Sequence, residues 1–237
     1  MFTPSNPNVS DTAFSVLAAE ASELQIKGAV VPTISENGEY VSSYFAVPKA
    51  TPGKYRPILN LKKFNYSVKK YHFKMETFKI VRQWIKEGDY CISIDLKDAF
   101  PHIPINKQFW KYFKFQWLGQ LLQWVVLPFG LRCSPRVLTK VLKPVMAFLR
   151  LTFCIFISCY MDDMLIQGNS PEQAYLHAQI TALILMILGW SINWEKSFFI
   201  PSRTIKHLGF NLDTESMTIS RPSDKINGIQ SRCKKGT

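Results

Sequence analysis

The sequence has little that would hold a metal or a disulfide framework. Its five cysteines (Cys91, Cys133, Cys154, Cys159 and Cys233) form no C-x-x-C pair, and their number is odd. Four lie in apolar runs, the setting of buried free thiols in a reducing compartment, not of a secreted disulfide scaffold. The four histidines (His72, His102, His177 and His207) show no zinc-ligand spacing, which argues against a structural or catalytic zinc. Long apolar runs are missing too. The longest, around 151–161 and 180–190, fall short of the roughly 20 residues of a membrane-spanning helix and read as buried core. No secretory leader is visible, because the first basic residue is Lys27 and the chain opens with Pro4, Asn6 and Pro7. The expected location is therefore intracellular, cytoplasm or nucleus, with no membrane partner. There is no internal repeat and no low-complexity tract.

Acid is also scarce: 17 Asp and Glu stand against 29 Lys and Arg, for a net charge of +12. The chain has 237 residues, of which 47% are apolar and 19% charged. That length and composition can bury a core, as one large domain or two small ones, and exclude a disordered tail. The basic excess points to a polyanionic partner, nucleic acid before an acidic membrane surface. It is concentrated. Between Lys49 and Arg82 stand ten basic residues and a single acid, Glu76, with Tyr66, Tyr71, Phe73 and Phe78 interleaved. Basic side chains among aromatics suit a surface that tracks a nucleic-acid backbone and stacks on bases.

Strands and helices mix without regular alternation, which predicts an α+β fold. A capped helix is expected over Asp11–Lys27, ended by Gly28. Strands at Tyr40–Val47 and Arg56–Leu61 flank a turn at Pro52-Gly53 and form a basic hairpin. Tyr90–Leu96 reads as a strand, Asn106–Phe113 as a polar helix, and 115–117 with 122–126 as a hairpin about Gly119. Ser134-Pro135 starts a helix running to about Arg150, with a kink expected at Pro144. Phe153–Tyr160 and Leu165-Ile166 read as strands around Asp162-Asp163. Ser170-Pro171 starts a second helix, in which Ile180, Leu183, Ile184, Ile187 and Leu188 share the face expected to be buried. Strands are expected near Ser191–Trp194 and His207–Leu212, with a hairpin arm at Met217–Ile219.

The chemistry is carried by carboxylates. Asp162 and Asp163 follow an apolar run, where adjacent charges repel and resist burial unless a cation holds them. Taken alone, the pair reads as an ordinary exposed turn. Asp95 ends a second apolar strand, and Asp98 lies three residues beyond it. If the two strands are neighbours, three carboxylates converge, as a two-metal site for in-line displacement at phosphorus requires.

Six ordered motifs then carry a resemblance. Tyr160-Met161-Asp162-Asp163 resembles the Y-x-D-D box of reverse transcriptases, and Ile94-Asp95-Leu96-Lys97-Asp98-Ala99-Phe100 resembles that family's first catalytic motif. Leu127-Pro128-Phe129-Gly130-Leu131 with Ser134-Pro135 resembles its nucleotide- and template-contacting motif. Val47-Pro48-Lys49 with Arg56-Pro57-Ile58 resembles its fingers motif, and Gly189-Trp190, Lys196 and His207-Leu208-Gly209-Phe210 resemble its last two palm motifs. The stretches 127–131, 192–197 and 208–210 look most like the retrotransposons with tyrosine recombinases, the DIRS and Ngaro group, with gypsy-type elements next.

The resemblance implies a right-hand polymerase fold: fingers, and a palm whose antiparallel sheet is backed by helices. It implies an N-terminal segment and helix at 1–26, fingers at 27–88 and 104–133, palm at 89–103 and 134–213, and the start of a truncated thumb at 214–237. The implied activity is RNA-directed DNA polymerisation in retrotransposon replication, on an RNA or DNA template with a DNA or RNA primer and deoxynucleoside triphosphates. Two Mg²⁺ ions, replaceable by Mn²⁺, would be held by Asp95, Asp162 and Asp163, with Asp162 the more direct ligand of the adjacent pair. Lys196 would approach the pyrophosphate as a general acid. Lys49 and Arg56 would clamp the triphosphate, met also by backbone amides near Asp98 and Ala99. Phe100 would stack under the sugar and exclude a 2′-hydroxyl, although an ordinary core phenylalanine is the plainer reading of that residue. Phe129 and Gly130 would line the nucleotide pocket, and many family members have Gln where Phe129 stands. His207, Leu208, Gly209 and Phe210 would be the primer grip. A complete element would carry a full thumb, a fused ribonuclease H and a following recombinase. With little room for a thumb after Asp213, processivity is expected to be poor, and the alternative is an inactive nucleic-acid-binding remnant.

Overall fold

The structure is a computed structural model that describes residues 10–48 and 54–221. Lys49, the Pro52-Gly53 turn, Cys233, the opening residues 1–9 and residues 222–237 of the expected thumb lie outside the described residues. In chain order the elements are α1 (Asp11–Ile26), β1 (Val30–Pro32), β2 (Val41–Ser42), β3 (Tyr44–Pro48), β4 (Tyr55–Leu59), α2 (Phe64–Ser67), α3 (Phe78–Trp84) and β5 (Tyr90–Asp95). Then come β6 (Lys114–Trp117), β7 (Gln120–Trp124), α4 (Ser134–Thr152), β8 (Phe156–Tyr160), β9 (Asp163–Gly168) and α5 (Pro171–Ile187). Four short strands close the order: β10 (Phe198–Ser202), β11 (Thr204–His207), β12 (Phe210–Asp213) and β13 (Thr218–Ser220). The polar segment expected as an α-helix at 106–113 is a 3₁₀ helix, Lys107–Tyr112, capped by the Asn106 side chain.

The chain divides into two compact units, Met1–His72 with Phe100–Leu138, and Phe73–Ala99 with Thr139–Thr237. The divisions fall at 72/73, 99/100 and 138/139. The first has a packing reason. Val81 and Ile85, from α3 and the residue after it, share a core cluster with Cys91, Leu165, Ile205 and Leu212 of the second unit.

In the first unit, a sheet of order β1-β7-β6-β2 covers an aromatic core. Tyr44 meets Phe115 at 4.8 Å between ring centroids and Trp117 edge-on at 5.6 Å. The β6–β7 hairpin turns on Leu118 and Gly119, both at positive φ, the backbone that a two-residue turn between twisted strands requires. Lys114 is fully buried in β6, and its ammonium lies 2.8 Å from Glu39, 2.9 Å from Glu36 and 2.8 Å from the Ile34 carbonyl. β3 and β4 pair antiparallel as expected, with Val47 opposite Arg56.

In the second unit, an antiparallel sheet of order β10-β5-β9-β8 is flanked by a three-stranded sheet, β11-β12-β13. α4 runs unbroken through Pro144 and buries Leu142, Met146 and Leu149. It ends at Thr152, so β8 begins three residues later than the apolar run suggested. Cys154 is exposed in the intervening turn, contrary to the expectation of buried thiols, while Cys91 and Cys159 are buried. α5 overturns a second expectation. It buries Ala174, His177, Ala178, Thr181, Ala182 and Leu185, whereas Leu183, Ile187 and Leu188 of the expected core face are exposed. At its start the helix lies very close to the sheet: a Cβ on Gly168 would sit 2.5 Å from the Ala174 nitrogen, so small side chains face the sheet there, and Leu185 is buried farther along the same face. The strand expected at Ser191–Trp194 is only an isolated bridge, Ile192 to Leu96, and the strand beside β5 is β10.

Candidate active site

β5 ends at Asp95 and β9 begins at Asp163, and the antiparallel register sets these two residues directly opposite each other. Tyr160 pairs with Asp163, so Met161 and Asp162 are the two residues of a tight turn between β8 and β9. Met161 takes φ +56°, an uncommon conformation for a residue with a side chain. Asp162 therefore lies in the turn and not in a strand, so strand alternation does not set its direction relative to Asp163. Its carbonyl accepts from the Leu96 N–H at 3.1 Å, which ties the turn to the end of β5.

Asp95 is closely held. Its N–H donates to Ser197 Oγ at 3.0 Å, and its carbonyl accepts from the Asn193 N–H at 2.8 Å. Asn193 Nδ2 donates to Asp95 Oδ1 at 2.9 Å, and Lys196 Nζ stands 4.0 Å from the same oxygen. Lys196 is 72% exposed, against 15% for Asp95. Asn193 and Ser197 were not among the expected site residues. They lie in the stretch 192–197 that carries part of the resemblance, without a role of their own there.

The electrostatics are those of a crowded anionic site. Burial pushes the Asp163 carboxyl up to about 6; the Asp162 and Asp95 charges add to this, as does a hydrogen bond with Asp95, and Lys196 opposes it. Asp162 is raised as well, first by burial and then by Asp95. As the side chains stand, they are not gathered into a cage: among the described residues, no group of three or more His, Cys, Asp or Glu is arranged to hold a metal ion. The donor set nevertheless fits a hard divalent cation. It is oxygen-only, and the charge that burial and repulsion disfavour is the charge a cation would neutralise.

In the same unit, His207 and Phe210 pair across β11 and β12, and Leu208 and Gly209 form the turn at φ +48° and +79°. The sequence expected one strand through these residues; the structure makes them a hairpin tip. Burial pushes His207 down to about 4. Asp98 sits at φ +51° where the chain leaves β5, and Ala99 is buried.

The remaining expected residues belong to the first unit. Arg56 is exposed on β4. Phe100 packs partly buried against the aromatic core and meets Phe129 edge-on, with centroids 5.1 Å apart. Phe129 is 53% exposed, and Gly130 follows at φ +84°. Asn65, missed from sequence, fastens this loop: its Nδ2 donates to the Gly130 carbonyl at 2.8 Å, and its Oδ1 accepts from the Arg132 N–H at 2.7 Å.

The model of the family described as reverse transcriptase (RNA-dependent DNA polymerase) matches residues 47–212. The Pro-Pol polyprotein of Simian foamy virus type 1 is 25% identical over 182 residues, which are 77% of this chain and 15% of that protein. The Gag-Pol polyprotein of Rous sarcoma virus subgroup C is 29% identical over 206 residues, 80% of this chain and 12% of its own length. The chain thus spans a small part of the curated relatives it matches. Among solved structures, a foamy viral protease-reverse transcriptase in complex with dsDNA superposes with a TM-score of 0.82 at 21% identity, covering 96% of this chain and 45% of the other. The fold is that of reverse transcriptases, and among the described residues no helix is long and apolar enough to cross a membrane. A family match over most of the length, a shared fold, and carboxylates set opposite one another at the ends of β5 and β9 lead to one conclusion: the chain belongs to the reverse transcriptase (RNA-dependent DNA polymerase) family, in its retroviral and retroelement form.

Proposed function

We propose that the chain is the fingers-and-palm core of an RNA-directed DNA polymerase that adds deoxynucleotides to a primer 3′-hydroxyl. The observation that supports this reading is the register that sets Asp95 opposite Asp163, with the Asp162 turn tied to the end of β5. In the reaction, the 3′-oxygen bonds to the α-phosphorus while the bond from that phosphorus to the bridging oxygen breaks. The hydroxyl proton passes to solvent water, and pyrophosphate leaves. Asp95, Asp162 and Asp163 would hold two Mg²⁺ ions, or Mn²⁺, which when bound lower the hydroxyl pKa and stabilise the charge developing on the phosphate oxygens. Asn193 keeps the Asp95 carboxylate oriented, and Ser197 holds the Asp95 backbone through its N–H. Lys196, exposed and close to Asp95, would give a proton to the departing pyrophosphate.

Lys49 and Arg56 clamp the triphosphate, Arg as a fork and Lys as a point charge. Backbone amides at Asp98 and Ala99 meet the same group, Phe100 selects the sugar, and Phe129 with Gly130 lines the nucleotide pocket. His207 to Phe210 forms the primer grip, a hairpin tip whose glycine lets backbone approach backbone. The substrates are an RNA or DNA template, a primer and deoxynucleoside triphosphates. Solved structures of this fold include a foamy viral protease-reverse transcriptase in complex with an RNA/DNA hybrid. Within the family we place the chain with the DIRS and Ngaro elements on residues 127–131, 192–197 and 208–210. A ribonuclease H fusion and an adjacent recombinase gene in the parent element would support that placement, and an adjacent integrase gene would refute it.

The test is primer extension on an RNA template with a DNA primer, deoxynucleotides and Mg²⁺, with Asp162→Asn/Asp163→Asn as the control. Extension that the double variant abolishes is the expected result. Extension that survives it would refute the assignment of the carboxylates.

A further inference from the structure

Glu76 is the one acid in the basic stretch from Lys49 to Arg82, and the proposed reaction makes no use of it. Its surroundings show where it acts. β8 is an edge strand of the catalytic sheet, so alternate N–H and C=O groups along its outer side have no strand partner. Two of these groups are captured by a single ion pair. Arg150 Nε and Nη2 donate to the Ile157 carbonyl at 3.0 and 2.6 Å, and the Cys159 N–H donates to Glu76 Oε2 at 2.9 Å. Arg150 Nη2 in turn donates to both Glu76 oxygens, at 2.8 and 2.7 Å. The guanidinium lies over the Trp84 ring, 4.9 Å from its centroid, which fixes its plane. The pair thus takes the place of a neighbouring strand.

The residue it grips matters. Cys159 immediately precedes Tyr160, after which the chain enters the Met161-Asp162 turn. Met161 is held at positive φ, a conformation that persists only when its surroundings over-determine it. From the β9 side, that turn is fixed by the sheet and by the Leu96 bond to the Asp162 carbonyl. From the β8 side, the outer hold is Glu76. A cavity of about 290 Å³, lined in part by Glu76, Arg150, Cys159 and Met161, adjoins the pair, so a released strand has room to move.

We propose that the Glu76–Arg150 ion pair is a positioning element of the polymerase reaction: it holds the outer edge of β8 and thereby fixes the strained turn that presents Asp162. The proposal rests on the functional reading above. It assigns Glu76 no contact with substrate; it acts through Cys159.

The test uses the full chain with Glu76→Ala and the conservative Glu76→Gln. Backbone hydrogen exchange is read at residues 159–163, alongside kcat, KM for the incoming nucleotide, and affinity for primer–template. In Glu76→Ala, exchange at 159–163 should rise about tenfold or more. In the same variant kcat should fall about tenfold to a hundredfold, the cost of an ångström-scale misplacement. Its KM and nucleic-acid affinity should stay within about twofold, because only positioning of the reacting groups has changed. Glu76→Gln keeps an acceptor for the Cys159 N–H and should recover most of both effects. Unchanged exchange in Glu76→Ala overturns the proposal, and so does faster exchange with kcat intact. If the wild-type chain extends no primer, the functional reading fails on its own. The hold on the turn is then decided by exchange: loosening in Glu76→Ala with recovery in Glu76→Gln supports it, and equal exchange in all three proteins overturns it.

Discussion

Asp163→Asn should stabilise the protein in the absence of divalent cations, although it removes a residue of the proposed reaction centre. The Asp163 carboxyl rises from 3.8 to about 6 because burial, Asp162 and Asp95 all disfavour its charge. A raised carboxyl favours folding while protonated. The stability it contributes is fully present below about pH 4 and is lost as pH rises through about 6. A shift of that size corresponds to about 3 kcal/mol. Asp163 is partly exposed, so solvent screening reduces this to about 1–2 kcal/mol. Asparagine carries no charge at any pH. Relative to wild type, the variant should therefore gain nothing near pH 4 and about 1–2 kcal/mol above pH 7, a rise in Tm of a few degrees for a chain of this size. The assay is urea or thermal unfolding of both proteins in chelator across pH 4–8, read as the difference between them. With millimolar Mg²⁺ the order should reverse, because the cation stabilises wild type more than the variant. A difference that is flat with pH, or a variant less stable at pH 7.5 than at pH 4.5 relative to wild type, would refute the reasoning.

The other expectations concern separate parts of the molecule. Lys114→Ala leaves Glu39 buried without its cation and should cost about 3–5 kcal/mol in chemical denaturation, because the pair is desolvated; a loss under 1 kcal/mol would contradict the burial. His207 is held neutral with its pKa near 4, so its contribution is fully present above about pH 6.5 and is lost as pH falls toward 4. His207→Gln should flatten that acid limb by about 3 kcal/mol, as read from unfolding at pH 4.5 and 7. Phe100→Val should raise ribonucleotide incorporation in primer extension if Phe100 selects the sugar, and unchanged selectivity would return it to the role of a core residue. Gly168→Ala should destabilise by about 1–3 kcal/mol, because the new methyl meets the backbone of Ala174.

What the sequence determined by itself was local. Serine and proline placed the starts of α4 and α5, and the Leu118-Gly119 turn set the β6–β7 hairpin. The carboxylates were legible as a motif because apolar runs leading to Asp95 and Asp162-Asp163 are a pattern within a few residues. Tertiary structure decided what depends on distant partners. Glu76 reaches Cys159 across 83 positions, and Asn193 and Ser197 reach Asp95 across about a hundred. No local pattern marks such pairs: a lone acid in a basic tract reads as surface, and the stretch 192–197 gives no sign of which distant residue Asn193 and Ser197 hold. The buried face of α5 was decided in the same way. Periodicity offered the leucine and isoleucine face, but the helix starts close against Gly168, and the face of Ala174, Ala178, Ala182 and Leu185 is buried while Leu183, Ile187 and Leu188 turn outward.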